Sequence, residues 1–222
     1  MKNTRQSGFT IVELMISTVI FSMILLILTT GVISFTRSYY KGITETSTQR
    51  VARVISDDIT QGIQSSSMAY ASVTKVGAWS GFCIGDVGYV YQLGLQLSES
   101  SPDSNKHQAS QVLLKGNAGN GCSGYTSDLL YTKLNNGLSA APRTTEEMLA
   151  PSMRLANLDI TIVPKSSIVD TGIYSVLVNV VYGDDDLLTN PTGISPSCNA
   201  DSGSQFCAIS GLSTVVQKRI QQ

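Results

Sequence analysis

The stretch that decides the fold is GFTIVELMISTVIFSMILLILTTGVISFT, which covers residues 8–36. From Leu14 to Thr36 it contains no charged side chain, a run of 23 residues. As an α-helix this run measures about 34 Å, and the hydrocarbon core of a membrane is roughly 30 Å thick. Lys2 and Arg5 lie in the short polar segment before it. The sequence therefore predicts a helix that can cross a membrane.

Three interpretations of this segment compete. A cleaved secretory signal has an apolar region of about 7–15 residues and a small-x-small cleavage site. This segment is longer, and Ser34-Phe35-Thr36 is a poor site. A plain membrane anchor fits the length but leaves Glu13 unexplained, because a carboxylate at the bilayer centre costs about 2.5–3.5 kcal/mol. A cut after Gly8 supplies a partner, since it gives Phe9 a positive amine one helical turn before Glu13. That amine can also meet the Glu13 of a neighbouring subunit.

Residues 8–16, Gly8-Phe9-Thr10-Ile11-Val12-Glu13-Leu14-Met15-Ile16, resemble the prepilin motif of type IV pilins and type II secretion pseudopilins. In those proteins a membrane prepilin peptidase cuts after the glycine and methylates the new N-terminal phenylalanine. The resemblance implies that Gly8 and Phe9 flank the cut, that Phe9 is N-methylated and that Glu13 guides subunit docking. It also implies three kinds of partner: the peptidase, an inner-membrane assembly platform, and other pilins or pseudopilins that bind through the N-terminal helix.

The apolar run continues as an amphipathic helix. Five apolar residues follow at three- and four-residue steps and are predicted to share one helix face: Val51, Val54, Ile55, Ile59 and Ile63. Arg53 and Asp57 lie on another face, four residues apart. Gly62 and the serines at 65–67 indicate that the helix, predicted from Phe9 to Gln64, ends there. The stretch RVARVISDDITQGIQ, residues 50–64, also resembles minor pilins and pseudopilins of the PilW and GspJ kind.

Beyond residue 67 the pattern becomes β-rich, with polar, glycine-rich breaks. The candidate strands are Tyr89–Leu97, Gln111–Lys115, Leu129–Leu134, Leu155–Val163, Ile173–Tyr182 and Phe206–Val216. Ile173–Tyr182 alternates most regularly and is expected to form a hairpin with Leu155–Val163 across the Lys165–Gly172 link. The predicted fold is therefore α+β: a long helix, half transmembrane and half amphipathic, packed on an antiparallel β-sheet head, as in type IV pilins.

These patterns divide the chain into four parts. Residues 1–8 form a leader peptide, residues 9–36 the transmembrane or filament-core helix, residues 37–66 its amphipathic continuation and residues 67–222 an extracytoplasmic head. The expected location is the bacterial inner membrane, crossed once with the head in the periplasm, and afterwards an extracellular or periplasmic filament.

The four cysteines all lie beyond the apolar segment. An even number in an extracytoplasmic region indicates two disulfides, with three possible connectivities. Cys83–Cys122 and Cys198–Cys207 are favoured, because pairs close in sequence need the least rearrangement. A C-terminal loop closed by a disulfide also fits the resemblance to pilins. His107 is the only histidine and no CxxC pair is present, which argues against a zinc site.

Composition and motifs favour neither an enzyme nor a nucleic-acid-binding module. Lys and Arg number 15 against 16 for Asp and Glu, so there is no basic excess. No GxSxG motif surrounds a serine, and the glycine-rich segment 116–121 lacks GxGxxG spacing. No cofactor is expected, and calcium is the one alternative, with Asp184, Asp186 and Asn190 as weak candidate ligands. A solvated turn after a strand is the favoured interpretation of that cluster.

Three functions are compatible with the sequence. The first is a minor pilin that primes or caps a type IV pilus. The second is a minor pseudopilin of a type II secretion system, and the third is a pilus-tip adhesin or DNA-uptake factor whose head binds its target directly. The large head and the absence of proline from the apolar segment favour a minor subunit. Because Glu13 is present, the subunit is expected to dock below another one.

Overall fold

The computed structural model describes residues 8–66, 70–98, 102–119, 122–163, 172–193, 195–199 and 203–219. The chain divides into two compact units, residues 1–40 and 41–222. One helix, α1 (Ile11–Ser65), contributes to both units. Its bounds confirm the helix predicted from Phe9 to Gln64 to within two residues at each end.

The first unit contains the apolar part of α1. Every side chain from residue 8 to residue 40 is exposed within the chain, including large apolar ones such as Phe21, Leu26 and Phe35. A helix that is apolar on all sides needs lipid or other helices around it. By length and composition α1 qualifies as a membrane span, and it is the only such helix in the described part of the chain. The first unit is thus built as an anchor.

Two five-stranded sheets dominate the second unit. The first sheet has the order β1-β2-β3-β6-β7 and consists of β1 (Tyr70–Ser72), β2 (Ser80–Ile84), β3 (Val87–Tyr91), β6 (Leu113–Asn117) and β7 (Thr145–Glu147). The second has the order β12-β9-β8-β4-β5 and consists of β4 (Gln96–Leu97), β5 (Gln108–Ala109), β8 (Met153–Ile162), β9 (Ile173–Tyr182) and β12 (Ala208–Gln217). A short pair, β10 (Leu188–Thr189) and β11 (Ser197–Cys198), lies between β9 and β12 in sequence. All strand pairs are antiparallel except β4–β5.

The predicted antiparallel pairing of β8 with β9 is confirmed. Leu158 lies opposite Val178, and the ladder runs along both strands with one bulge. Val176, Val178 and Val180 are completely buried on one face of β9, as the alternating pattern predicts. Residues 164–171 of the expected hairpin link lie outside the described residues.

The second half of α1 packs into a core shared with both sheets. Ile55, Ile59 and Ile63 are almost completely buried and contact a cluster that includes Phe82 of the first sheet and Val178 of the second. This confirms the predicted contact between the apolar stripe of the helix and the protein's own sheets.

Val54 is the exception to the predicted stripe, because it is 53% exposed. Successive residues of an α-helix point about 100° apart. Val54 is therefore turned away from the adjacent Ile55, whereas Ala52, one turn before Ile55, is buried.

The strand predicted at Leu129–Leu134 is wrong, since these residues belong to helix α2 (Ser127–Leu138). Leu130 and Leu134 are buried one turn apart against the first sheet. The hydroxyl of Thr126 caps the helix by accepting a hydrogen bond from the Leu129 backbone N–H. A six-residue segment is too short to separate the two periods, and Thr126 before it was the signal for a helix.

The continuous strand predicted at Tyr89–Leu97 is also wrong. Its first residues belong to β3 and its last to β4, so the chain crosses from one sheet to the other between them. Gly94, in the crossing, has a positive φ of 77°. A Cβ there would lie 2.9 Å from the Cα of Thr192, so both the backbone conformation and the close approach favour glycine. The predicted strands Gln111–Lys115 and Phe206–Val216 correspond to β6 and β12, each starting two residues later.

A fully buried arginine fixes the loop that follows β9. Arg154 on β8 is 0% exposed, and its Nη2 lies 2.7 Å from Asp185 Oδ1. The same guanidinium donates hydrogen bonds to backbone carbonyls, at 3.0 Å to Gly183 and 3.2 Å to Pro191. A buried charge is tolerated only when it is paired and hydrogen-bonded in this way.

We expect Arg154→Ala to lower the free energy of unfolding by about 3–5 kcal/mol, because it removes the buried cation from Asp185 Oδ1 and leaves the loop carbonyls without their donor. Denaturant titration of the detergent-solubilised, oxidised chain measures the effect. Arg143→Ala is the control, because Arg143 is exposed and donates one hydrogen bond to the Leu138 carbonyl. The free energy of unfolding of Arg143→Ala is expected to fall by no more than about 0.5 kcal/mol. Equal decreases for both variants would contradict the role of Arg154.

Candidate functional site

Helix α1 begins next to the predicted cut with a reciprocal pair of residues. The backbone N–H and the hydroxyl of Thr10 donate to Glu13 Oε2 at 3.1 and 3.2 Å. In return, the Glu13 backbone N–H donates to Thr10 Oγ1 at 3.2 Å. This arrangement is a capping box, which satisfies N–H groups that have no partner within the helix. It also holds the Glu13 carboxylate toward the positive end of the helix dipole.

The two residues that flank the predicted cut lie outside the helix. Gly8 and Phe9 have non-helical backbone, and Phe9 is 81% exposed. A Cβ added to Gly8 would have no atom of the chain within 4 Å. The packing of the chain itself therefore gives no reason for glycine at this position, and the peptide bond after it is accessible.

Polar side chains within the apolar run satisfy their own hydrogen bonds. The hydroxyls of Ser17, Ser22 and Thr29 each donate to the carbonyl four residues earlier, at 2.8, 2.7 and 2.7 Å respectively. These residues need no water and are compatible with lipid or with neighbouring helices. Glu13 is the only ionisable side chain in residues 8–36, so it alone requires a partner of opposite charge.

Residues 3–29 match the prokaryotic N-terminal methylation motif. The matched range contains Gly8, Phe9, Glu13 and the first part of the apolar run. It indicates a type IV pilin-like chain that is a substrate of prepilin peptidase. Proteins with this motif are structural subunits rather than enzymes. Together with the long helix and the largely antiparallel sheets, it identifies the architecture as α+β and type IV pilin-like.

The match ends at residue 29. The closer resemblance of residues 50–64 to minor pilins of the PilW and GspJ kind therefore stays a prediction. Neither a search of curated proteins nor a search of solved structures gave a match to the chain.

Asp58 connects the helix to the first sheet, a role that the sequence analysis missed. Its carboxylate accepts a hydrogen bond from the Tyr89 hydroxyl at 2.7 Å and pairs with Lys115 Nζ at 2.6 Å. Glu146 lies on the other side of this lysine, 3.4 Å from Nζ. Burial, followed by the hydrogen bond to Asp58, raises the pKa of Tyr89, so that its hydroxyl remains a donor. The sequence offered one signal that Asp58 lies near the sheets: it directly precedes Ile59, a member of the predicted apolar stripe.

Two of the weak calcium candidates, Asp184 and Asp186, flank Asp185, which pairs with the buried Arg154. Asp184 Oδ1 accepts a hydrogen bond from Gln96 Nε2 at 2.8 Å. Asp185 pairs with Arg154, and its other oxygen lies 2.7 Å from His107 Nδ1. Across the described ranges no group of three His, Cys, Asp or Glu side chains is placed to hold a metal ion. Asp185, the middle one of the three adjacent aspartates, thus has protein partners on both of its oxygens. Calcium binding by Asp184, Asp186 and Asn190 stays an untested prediction.

Both disulfides lie in the second unit. Cys83 on β2 is joined to Cys122 in the segment before α2, with Cα atoms 6.1 Å apart. Cys198 on β11 is joined to Cys207, which directly precedes β12, with Cα atoms 5.8 Å apart. This connectivity is the one that the sequence favoured. The second bridge closes the segment that leads from β11 into β12.

Thr10→Val in the uncut chain is expected to accelerate amide hydrogen exchange at Glu13 roughly fivefold, because a lost N-cap costs about 1 kcal/mol. NMR of the chain in detergent micelles measures the exchange rate. Thr10→Ser keeps the hydroxyl and is expected to exchange like the natural chain. Equal rates in all three proteins would show that the capping box does not stabilise the start of the helix.

Proposed function

We propose that this chain is a minor type IV pilin-like structural subunit, which prepilin peptidase processes and which then primes or caps a type IV pilus. The observation that carries the proposal is the position of Gly8, Phe9 and Glu13 directly before the helical segment Leu14–Thr36, which has no charged side chain and is exposed on every side. Such a helix has two suitable environments, the lipid before assembly and the helices of neighbouring subunits afterwards.

Cleavage changes the electrostatics at the start of the helix. Among the described residues of the uncut chain, the Glu13 carboxylate accepts side-chain and backbone hydrogen bonds only from Thr10. Hydrolysis of the bond between Gly8 and Phe9 creates an amine, which still carries a positive charge after methylation. In an apolar setting, a charge-assisted hydrogen bond to this amine contributes more than a neutral one. We propose that Glu13 of one subunit binds the Phe9 amine of the next and thereby sets their axial register.

The second unit has features suited to an oxidising compartment outside the cytoplasm. Two disulfides persist in an oxidising compartment, which supports a periplasmic head. The contacts of Asp58 with Tyr89 and Lys115 join the helix to the first sheet. Force applied to the helix during extraction from the membrane is thereby transmitted to a folded head.

The apolar helix favours a minor role over a bulk filament role. Major pilins often carry a proline inside the anchor, which breaks or kinks a helix. No proline occurs between residues 8 and 66, and α1 is uninterrupted from Ile11 to Ser65. Gly31 weakens a helix less than proline does.

Gly8→Ala is expected to block processing, so that the membrane-extracted protein keeps its original N-terminus. Mass spectrometry distinguishes this product from mature chains that begin with methylated Phe9. Gly31→Ala is the matched control, because a Cβ at Gly31 also meets no atom of the chain. The proposal fails if the natural chain keeps its original N-terminus in cells that contain the peptidase.

Glu13→Ala is expected to reduce the amount of this chain in sheared filaments by about tenfold or more, since a charge-assisted hydrogen bond is worth about 1.5–3 kcal/mol. Immunoblotting of the filament fraction, normalised to the amount of mature protein, provides the measurement. Glu45→Ala removes an exposed carboxylate from the same helix and serves as the control. Normal incorporation of Glu13→Ala would refute the docking role.

Deletion of the gene tests which filament the subunit serves. Loss of pili with normal protein secretion supports a pilus subunit. Normal pili with a secretion defect would instead identify a pseudopilin of the type II system. Intact filaments that fail to adhere or to take up DNA would point to a function in the head alone.

A further inference from the structure

Strand β12 forms one edge of the second sheet and is much longer than the other edge strands. It has ten residues, Ala208–Gln217, and within the described residues it pairs only with β9. The opposite edge of that sheet is β5, with two residues, and the edges of the first sheet, β1 and β7, have three residues each. Short edge strands are a common protection against pairing with other chains. β12 lacks that protection.

The ladder with β9 assigns the backbone groups on the outer side of β12. The Lys218 backbone N–H donates to the Gly172 carbonyl at 2.7 Å, one step beyond the last pair of the ladder. Hydrogen-bonded pairs alternate with non-hydrogen-bonded pairs along an antiparallel ladder. The even-numbered residues of β12 therefore turn their N–H and C=O groups toward β9, and the odd-numbered residues turn theirs outward. The outward set is Ile209, Gly211, Ser213, Val215 and Gln217.

The outward backbone groups are open to another chain. None of the hydrogen bonds among the described residues uses a backbone group of the outward set, and all five of its residues are exposed. Residues 208–217 include no charged residue and no proline, and the ladder with β9 has no bulge. Lysine, proline and bulges are the features that otherwise prevent an edge strand from pairing. The outer side of β12 is therefore suited to a further strand.

We propose that β12 binds an extended segment of a different protein, which adds to the second sheet as an antiparallel strand. Main-chain donors and acceptors at every second residue are matched by another extended backbone. The antiparallel direction is favoured because antiparallel pairs are more stable per residue than parallel ones. This contact goes beyond the proposed function, because it gives the head a binding partner of its own.

The charge at the end of β12 indicates what the partner carries. Arg219, two residues after the strand, is exposed and belongs to none of the ion pairs among the described residues. In an antiparallel pair, the first residue of the added segment lies beside the end of β12. Opposite charges placed across two strands attract each other. The segment is therefore expected to begin with Asp or Glu and to be uncharged beyond it, like β12.

A second copy of this chain fits β12 less well. Its other edge strands have two or three residues and are too short to cover ten. If β12 pairs antiparallel with itself, outward residues must lie opposite outward residues. The two registers with the greatest overlap then place Gln205 or Cys207 beside Arg219. Neither residue is acidic, so the charge of Arg219 favours a different protein.

Binding of synthetic peptides to the detergent-solubilised, oxidised chain tests the proposal. The first peptide is acetylated and has eleven residues, aspartate followed by alternating threonine and valine. It is N-methylated at every even position, which leaves one free edge. The second peptide has the same side chains and is N-methylated at every position after the first. Fluorescence anisotropy is expected to show at least about tenfold tighter binding of the first peptide, because it keeps its backbone donors. Equal binding would overturn the proposal.

Substitutions at Ser213 locate the peptide on β12. Ser213→Pro removes an outward N–H that the ladder with β9 does not use, and an edge strand tolerates proline at such a position. This variant is expected to bind the first peptide about tenfold more weakly. Ser213→Ala keeps the N–H and is expected to bind like the natural chain. Equal affinities of the two variants would show that the peptide binds elsewhere, contrary to the proposal.

A third peptide, with lysine in place of the aspartate, tests the charge requirement. We expect it to bind about threefold more weakly than the first peptide, because it places two basic residues together at Arg219. Equal binding would overturn the requirement for an acidic residue, and with it the preference for a different protein over a second copy.

Amide hydrogen exchange, measured by NMR, distinguishes the two possible occupants. Without peptide we expect fast exchange at Gly211, Ser213 and Val215, whose N–H groups point outward, and slow exchange at Leu212 and Thr214. The first peptide is expected to slow exchange at the outward amides about tenfold. Protection of these amides without peptide, rising with protein concentration, would instead show that a second copy covers the edge. These measurements require neither processing nor a filament, so their outcome is independent of the proposed function.

Discussion

One carboxylate in the otherwise uncharged segment of residues 8–36 is the constraint on which the anchor depends. Between residues 8 and 36 the hydroxyl groups of Ser17, Ser22 and Thr29 find acceptors on their own helix. Glu13 has no basic side chain in that segment. In the uncut chain it accepts hydrogen bonds from Thr10 as part of a capping box. A new amine at Phe9 would give the same carboxylate a charged partner, so a single residue serves the helix first and the assembly afterwards.

The head depends on a different kind of polar contact. Its surface has few charges, since only 14% of the chain is charged, and two charged residues hold its parts together. Arg154 is buried beneath the loop after β9 and pairs with Asp185. Asp58 joins α1 to Tyr89 on the first sheet. These contacts give the second unit a fold with its own polar and apolar core, as a subunit needs if its helix moves from lipid to protein surroundings.

The secondary-structure elements that the sequence predicted correctly are those whose residue pattern allows only one interpretation. Burial in β9 alternates over eight residues, from Ile173 to Val180, and this period of two is that of a strand. In contrast, Leu129–Leu134 is too short for its period to distinguish strand from helix, and the capping Thr126 decides for α2. Tyr89–Leu97 looks continuous because both of its ends are β-rich. Its division between β3 and β4 depends on the turn at Gly94, whose close neighbour Thr192 is distant in sequence.

The sequence by itself determined the apolar anchor helix, and it predicts the cut after Gly8 and the docking role of Glu13. These features follow from residues within one or two helical turns of each other, where spacing fixes position. Only the tertiary structure decided which charged residues of the head are buried. Asp58 meets a lysine 57 positions away, and Arg154 holds carbonyls from two loops, at Gly94 and Pro191. The place of Asp58 next to Ile59 puts it near the buried face of the helix, but no local pattern identifies its partners or marks Arg154 as buried, because both depend on which segments the fold brings together.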